Sequence, residues 1–213
     1  RMDLDHLEQC AARPDARILL LCSPHNPVGR VWSEEELTAV LDIARRHRLV
    51  VVSDEIHCDL TFTDKPRHTM LAKLAGPEDA LVTAVAPSKS FNMPGLGLSA
   101  LVIPDADRRK AMKDVFESMH LPQCNPFSIA GFEAGYRHGA PWLDDLMAYL
   151  QASRDYVVEA VGQRLPAIRV SAPEGTYLMW LDCRELGLDD AGLKRFFVRE
   201  ARVGMNPGLS FGD

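Results

Sequence analysis

The sequence predicts an α/β fold in which a mostly parallel sheet is covered by helices. Four short apolar segments have the Val, Ile, Leu and Ala content of buried strands, and they lie at residues 17–22, 49–54, 80–85 and 98–103. A helical pattern separates the first segment from the second, which is the order of a βαβ unit. Such units place successive strands side by side and parallel.

The helix between the first two strands has clear start and stop signals. Ser33 and Glu36 have capping-box spacing, in which each side chain accepts a hydrogen bond from the backbone amide of the other residue. The segment ends in the basic run Arg45–Arg48, which suits the negative pole of a helix. A helix from about Ser33 to His47 is therefore predicted, and its apolar face consists of Leu37, Val40, Leu41 and Ala44.

The second half of the chain is predicted to be mainly helical. After Pro104, helices are expected at 105–117, at 128–138 and from Pro141 onward, and Gly139 is the stop signal of the second. The third carries a long apolar face, formed by Leu143, Leu146, Met147, Leu150, Val157, Val158 and Val161. The sequence then predicts short strands at 168–170 and 177–181 and a helix at 190–202.

Composition excludes several classes of protein. The net charge of −6 over 213 residues gives no reason to expect nucleic-acid binding. No apolar stretch approaches the roughly 20 residues of a membrane span, and the first residues form no apolar signal region, so no membrane association is expected. Scattered cysteines without a Cys-x-x-Cys pair suit a reducing cytoplasm, and they are Cys10, Cys22, Cys58, Cys124 and Cys183.

A lysine after the third apolar segment is the strongest chemical signal. Ser88 and Lys89 follow this segment and precede Ser-Phe-Asn-Met-Pro-Gly. An ε-amine at the end of a buried strand, beside a hydroxyl and a Gly/Pro-rich turn, has the setting in which lysines form Schiff bases with carbonyl cofactors. Taken alone, the pair is also compatible with a solvated lysine at a strand end.

Two further polar segments also follow predicted strands. Asn26 lies in Ser-Pro-His-Asn-Pro-Val-Gly after the first strand, at the edge where open α/β sheets bind ligands. Asp54 lies in Ser-Asp-Glu-Ile-His at the end of the second strand, where a buried carboxylate needs a cation. A protonated pyridine nitrogen is such a cation. Alternatively, Asn26 forms only a turn before Pro27, Asp54 caps the next segment and His57 is a core histidine.

Together these motifs resemble the fold-type I pyridoxal phosphate enzymes, the aspartate aminotransferase superfamily. The ordered motifs are Ser-Pro-His-Asn-Pro-x-Gly, Ser-Asp-Glu-Ile-His-x-Asp and Pro-Ser-Lys-x-Phe-Asn. The chain looks like the cystathionine β-lyase and cysteine C–S lyase branch, and the resemblance extends through 174–182. It implies the pyridoxal-phosphate-dependent transferase fold. Residues 1–135 would belong to the large cofactor-binding domain, and 136–213 would form an interdomain helix and an incomplete, smaller α+β domain.

The resemblance also implies a role for each site residue. Lys89 would bind the cofactor aldehyde and move the Cα proton of the substrate, and Asp54 would hold the pyridine nitrogen protonated. Asn26 and His57 would hydrogen-bond the ring O3′, although most family members have tyrosine at the His57 position. Ser88 would donate to the phosphate. Related enzymes hold the peptide bond before Pro27 in the cis form, and this bond is predicted to be cis here. No metal site is expected, because His25, His68 and His120 lack ligand spacing.

Two departures from the aminotransferase pattern favour elimination over transamination. The position eight residues after Lys89 is typically arginine and here is Gly97, and the position three before it is Ala86 where serine is common. The C–S lyases of the family share the glycine-containing turn. The predicted reaction is α,β-elimination of an S-substituted L-cysteine such as cystathionine to thiol, pyruvate and ammonia. An aminotransferase and a non-catalytic regulatory domain are the alternatives.

The resemblance further implies that the chain is a fragment and that the active protein is a homodimer. Family members carry an amino-terminal phosphate-binding turn and a stacking aromatic residue before the Asn-Pro-x-Gly motif, and an arginine for the substrate carboxylate near the carboxyl end. The 213 residues alone are therefore predicted not to be a competent catalyst. The loop at 123–127 is expected to contribute to the dimer interface.

Overall fold

The computed structural model describes residues 2–121 and 125–212, and its centre is a four-stranded sheet. The strands lie in the order β1 (Ile18–Cys22), β2 (Val50–Asp54), β3 (Leu81–Val85) and β4 (Ala100–Val102). The first three are parallel, and β4 pairs antiparallel with β3. The predicted positions of all four strands are confirmed, and the carboxyl ends of β1, β2 and β3 meet at one edge.

The first region of the molecule, residues 2–104, contains the helices α1 (Leu4–Ala11), α2 (Glu34–His47) and α3 (Pro87–Ser90). The longest of them, α2, joins β1 to β2 and contacts α1. The predicted capping box is present, because Ser33 Oγ accepts from the Glu36 amide at 3.2 Å and Glu36 Oε2 accepts from the Ser33 amide at 3.0 Å. The predicted apolar face of α2 is buried and is joined by Ile43.

The main hydrophobic core lies between α2 and one face of the sheet. Its buried side chains come from α1, α2, β1, β2, the start of β3 and the adjoining loops, and they include Leu19, Leu21, Leu37, Val40, Leu41, Ile43, Val51, Leu71 and Leu81. In β1 the burial alternates, because Leu19 and Leu21 face the core while Ile18 and Leu20 are 61% and 79% exposed. This core fixes the strands whose ends carry the site.

The second region, residues 105–121 and 125–212, consists mainly of three helices and a small sheet. The helices are α4 (Ala106–Ser118), α5 (Pro126–His138) and α6 (Ala140–Arg164), and the antiparallel strands are β5 (Arg169–Ser171) and β6 (Trp180–Asp182). The last predicted helix is an α-helix, α7, only over Asp190–Arg195 and continues as a π-helix over Phe196–Ala201. None of the helices in the described residues is long and apolar enough for a membrane crossing.

The second predicted strand of this region begins later than expected. It was predicted at 177–181 but starts at Trp180. The preceding segment is instead held by the first region, since the Thr176 amide donates to Leu60 O at 2.6 Å and Gly175 forms a bridge with Thr61. Thr176 has φ +65°, a backbone conformation that interrupts a strand. The division of the chain into domains at residue 135 stays a prediction.

Candidate active site

A cavity of about 660 Å³ lies at the carboxyl edge of the parallel strands. Cys22 ends β1 and Asp54 ends β2, and the two are paired Cα neighbours across the sheet. Lys89 and Ser88 lie just beyond β3 and also line the cavity. The structure thus brings together three of the five residues predicted from sequence, at the edge where parallel sheets bind ligands.

Two hydrogen bonds from neighbouring backbone amides hold Asp54 at the end of β2. Its carbonyl oxygen accepts from the Ser23 amide at 3.0 Å, and its carboxylate Oδ1 accepts from the Ile56 amide at 3.3 Å. The side chain is half-buried and faces the cavity. A carboxylate in this position can pair with a cationic group of a ligand.

Lys89 is presented by a single helical turn, α3, which spans Pro87–Ser90. Ala86 precedes this turn in an extended conformation, and Pro87 occupies its first position, where the fixed φ of proline suits a helix start. The Lys89 side chain is half-buried, whereas Ser90 is fully buried. The Lys89 side chain therefore extends from a turn whose ends are buried and forms part of the cavity wall.

His57 is almost completely buried, at 2% exposure, and lies near both Lys89 and Asp54. Burial lowers the pKa of His57 and the charge of Lys89 lowers it further, while the charge of Asp54 opposes the shift. The ring therefore favours its neutral form near neutral pH. Its Nδ1 has no hydrogen-bond partner among residues 2–121 and 125–212, so this buried atom is available to a ligand.

Asn26 lies in the turn after β1 and is exposed. Its backbone amide donates to Sγ of Cys22, a cavity-lining residue, at 3.4 Å. The peptide bond between Asn26 and Pro27 is cis, as predicted. The asparagine is thus beside the cavity, and its binding role stays a prediction.

Sequence reasoning missed Tyr177 as a neighbour of the site. Its ring packs edge-on against His57, with ring centroids 5.7 Å apart. The contact depends on Thr176, a fully buried β-branched residue whose left-handed backbone directs Tyr177 toward the first region. The only sequence signal was the motif at 174–182, which by periodicity reads as a strand.

The carboxylate of Glu55 was also missed. It is fully buried and accepts from Ser53 Oγ at 2.9 Å, from the Leu71 amide at 3.1 Å and from His68 Nε2 at 2.6 Å. Glu55 therefore fixes the backbone between Asp54, at the end of β2, and His57, in the turn that follows. No cluster of three or more potential metal ligands occurs in the part of the chain that the structure describes.

Cys58, the residue after His57, has an environment typical of an unreactive thiol. Burial and the charge of Asp59 raise the pKa of Cys58 to about 12. A thiol with so high a pKa is almost entirely protonated near neutrality, and the thiolate is the nucleophilic form. Cys58 is therefore not a candidate nucleophile.

The model of the family "Aminotransferase class I and II" matches residues 1–212. The chain belongs to this family. It is 36% identical over 212 residues to cystathionine beta-lyase PatB of Bacillus subtilis and 35% identical over 212 residues to protein MalY of Escherichia coli. Each alignment covers 99% of this chain and 54% of the relative.

The fold is that of solved pyridoxal phosphate enzymes. The crystal structure of cystalysin from Treponema denticola, which contains pyridoxal 5′-phosphate, matches with a TM-score of 0.96 and 32% identity. That match covers the whole of this chain and 54% of cystalysin. The predicted resemblance and fold class are confirmed, and the chain spans about half the length of the relatives it matches.

Proposed function

We propose that this chain contributes the lysine-bearing half of the active site of a pyridoxal-phosphate-dependent carbon–sulfur lyase. The observation that carries the proposal is the placement of Lys89 and Asp54 on one cavity at the ends of parallel strands. Similarity to the relative named cystathionine beta-lyase supports the lyase class.

The residues around the cavity fit the cofactor. A carboxylate, a lysine and a serine hydroxyl line it, and the buried His57 Nδ1 beside them lacks a partner among the described residues. Asp54 would pair with the ring nitrogen, His57 and Asn26 would hydrogen-bond the ring oxygen, and Ser88 would donate to the phosphate. The cofactor, when bound, supplies an electron sink for the pair released at the substrate Cα.

The residues of the chain would then divide the chemistry as follows. Lys89 Nζ would hold the cofactor, and after a substrate amine replaces it, the freed amine would take the proton from the substrate Cα. Loss of the thiolate from Cβ, followed by hydrolysis, would convert an S-substituted L-cysteine and water to thiol, pyruvate and ammonia. Cystathionine is the substrate that we propose on the basis of the relatives.

Phosphate binding would rely on few groups in this chain. Ala86 is buried and Gly97, at φ +57°, faces open space, so neither supplies a donor side chain. Ser88 and Ser99 are the hydroxyl groups that line the cavity. The sparse donor set supports the prediction that these residues alone form an incomplete catalyst.

The assignment of Lys89 can be tested by borohydride trapping. The full-length protein is loaded with pyridoxal phosphate, reduced and digested, and the modified lysine is mapped by mass spectrometry. The adduct is expected on Lys89, absent in Lys89→Ala, and retained in the exposed control Lys73→Ala. An adduct of undiminished amount in Lys89→Ala would refute the assignment.

An aminotransferase is the second candidate, because the matched family bears that name. The two activities differ in their need for a keto acid. A lyase is expected to release pyruvate from cystathionine without one, whereas an aminotransferase depends on it. If the loaded protein shows neither activity, the regulatory alternative gains support.

We also propose that the protein is a cytoplasmic homodimer that binds a small amino-acid substrate. Phe127, in the predicted dimer loop, and Ile129, just after it, are 79% and 52% exposed, as expected of an interface. Gln123 and Cys124 of that loop lie outside the described residues. Cys10, Cys22, Cys58 and Cys183 are free, which suits a reducing compartment. Light scattering of the full-length protein would measure the oligomeric state.

A further inference from the structure

The end of β2 and the turn that follows it carry three acidic residues in three different environments. Asp54 lines the cavity, and Glu55 is fully buried and accepts from the Leu71 amide, as described above. The third, Asp59, is half-buried and does not line the cavity. Its carboxylate Oδ2 accepts a hydrogen bond of 2.7 Å from Ser90 Oγ. Asp59 is thus joined to the residue that follows Lys89.

This bond links the two segments that carry the proposed site. His57 lies two residues before Asp59, and Lys89 lies one residue before Ser90. Ser90 is fully buried, so its hydroxyl cannot exchange this partner for bulk water. A hydrogen bond from a hydroxyl to a carboxylate is short and charge-assisted, and it is roughly twice as strong as one between neutral groups.

Lys89 needs such external support because α3 has only four residues. One helical turn closes little internal hydrogen bonding and does not hold its own orientation. The Asp59 side of the contact is rigid, since Leu60 is fully buried, its amide donates to His57 O at 2.9 Å, and its carbonyl accepts from Thr176. The turn that carries Asp59 can therefore orient α3 through the hydrogen bond between Asp59 and Ser90.

Two titratable side chains lie close enough to Asp59 for its charge to act on them. Burial raises the pKa of Tyr136 to about 12, and the next contribution comes from the charge of Asp59. The same charge adds to burial in raising the pKa of Cys58. Ser90 is the hydroxyl that donates a hydrogen bond to the Asp59 carboxylate.

We propose that Asp59 and Ser90 are positioning residues that hold Lys89 in register with His57. The proposal rests on the proposed function of Lys89 as the cofactor-binding lysine. Neither Asp59 nor Ser90 contacts the reacting atoms in this scheme. Displacing a reactive group by about 1 Å can lower a rate about hundredfold, so the hydrogen bond is expected to matter for chemistry as well as for stability.

The test measures how fast full-length apoprotein captures pyridoxal phosphate, followed by visible absorbance and by borohydride trapping on Lys89. Asp59→Ala and Ser90→Ala remove the bond and are expected to slow capture about tenfold to hundredfold. Asp59→Asn keeps an acceptor oxygen for Ser90 and is expected to stay within about threefold of wild type. Either alanine variant suffices if the other fails to fold.

A matched control separates positioning from stability. Asp79 is a carboxylate whose side chain is only 5% exposed; it is paired with Arg45 at 2.7 Å and lies before β3, at the sheet edge opposite the cavity. Asp79→Asn is expected to lower the urea midpoint without changing the capture rate. Capture at the wild-type rate in the alanine variants, or equal losses in Asp59→Ala and Asp59→Asn, would overturn the proposal. Undiminished trapping in Lys89→Ala would instead overturn the proposed function.

Discussion

The region up to residue 104 and the region after it differ in how they bury apolar side chains. The buried hydrophobic residues of the described chain lie between Ala11 and Ile103, with Met147 as the exception. The second region leaves large side chains in contact with solvent, including Met119, Phe127, Tyr149, Tyr156 and Leu209. The first region therefore has a core of its own, and the second depends on contacts with the first.

Those contacts include a hydrophobic cluster, in which Leu60 and Phe62 pack with Met147 of α6, and several polar contacts. Gly29 O accepts from the Glu174 and Gly175 amides at 2.8 and 3.0 Å, and the buried end of Arg154 reaches Asp64 at 2.9 Å. The second region adds Tyr177 to the surroundings of His57 through the same attachment. The comparison teaches that the first region holds the proposed chemistry, and that the second region is attached to it through contacts that substitutions can test one at a time.

The largest expected effect is that of Gly29→Ala. A Cβ there would lie 2.4 Å from Pro173 Cβ and 2.8 Å from Gly175 O, and Gly29 has φ +70°. Overpacking and the left-handed backbone together should lower the free energy of unfolding by about 3 kcal/mol, measured by urea denaturation.

Gly187→Ala is the control for the backbone contribution. Gly187 has φ +65° but has open space around it, so only about 1–2 kcal/mol should be lost. Equal losses of unfolding free energy in the two variants would show that the close approach of the two regions at Gly29 does not add to the effect of Gly29→Ala.

Arg154→Met should have a smaller effect on the same attachment. The Arg154 side chain is 5% exposed, pairs with Asp64 and packs over the Phe62 ring at 4.4 Å from its centroid. Because Asp64 itself is largely solvated, the loss should be only about 1–2 kcal/mol. Arg184→Met is the control. Because Arg184 is 88% exposed beside Asp182, this substitution should change the free energy of unfolding little.

The Arg154 effect should also depend on pH. The hydrogen bond from Arg154 lowers the pKa of Asp64 in the folded protein below its unfolded value of about 3.9. The stabilisation is therefore complete above that value and is lost as the pH falls through the folded pKa. The gap between wild type and Arg154→Met should shrink between pH 7 and pH 3. A constant gap would assign the effect to packing alone.

The parts of the fold that the sequence predicted are those with local signals. The capping box of Ser33 and Glu36, the apolar strands and the strand-end positions of Asp54 and Lys89 depend on neighbouring residues. Because parallel strands bring their carboxyl ends to one edge, local placement was enough to gather Asp54, Ser88 and Lys89 at one cavity.

The unpredicted parts depend on contacts between distant segments. Glu55 and Asp59 are acidic residues that closely follow Asp54, and only their hydrogen bonds with the Leu71 amide and Ser90 Oγ distinguish their roles. Likewise, the alternation at 177–181 predicts a strand, but the Thr176 amide bonds Leu60 O and delays the strand to Trp180. Pattern reading cannot supply partners outside the local segment, and these lie 16 residues away for Glu55, 31 for Asp59 and more than a hundred for Thr176.

The smallest expected effect distinguishes whether the two regions unfold together. Arg48 and Arg202 are exposed residues with φ +54° and +56°, each at the end of a helical segment. Glycine adopts this conformation without steric cost, so Arg48→Gly should stabilise the first region by about 1 kcal/mol despite the added freedom of the unfolded chain. Hydrogen exchange of the β2 amides should slow about fivefold.

Because the second region lacks its own core, it should open before global unfolding, so Arg202→Gly should leave β2 exchange unchanged. Equal slowing of β2 exchange by both variants would mean that the two regions unfold as one cooperative unit, and the contrast in their cores would then have no thermodynamic counterpart.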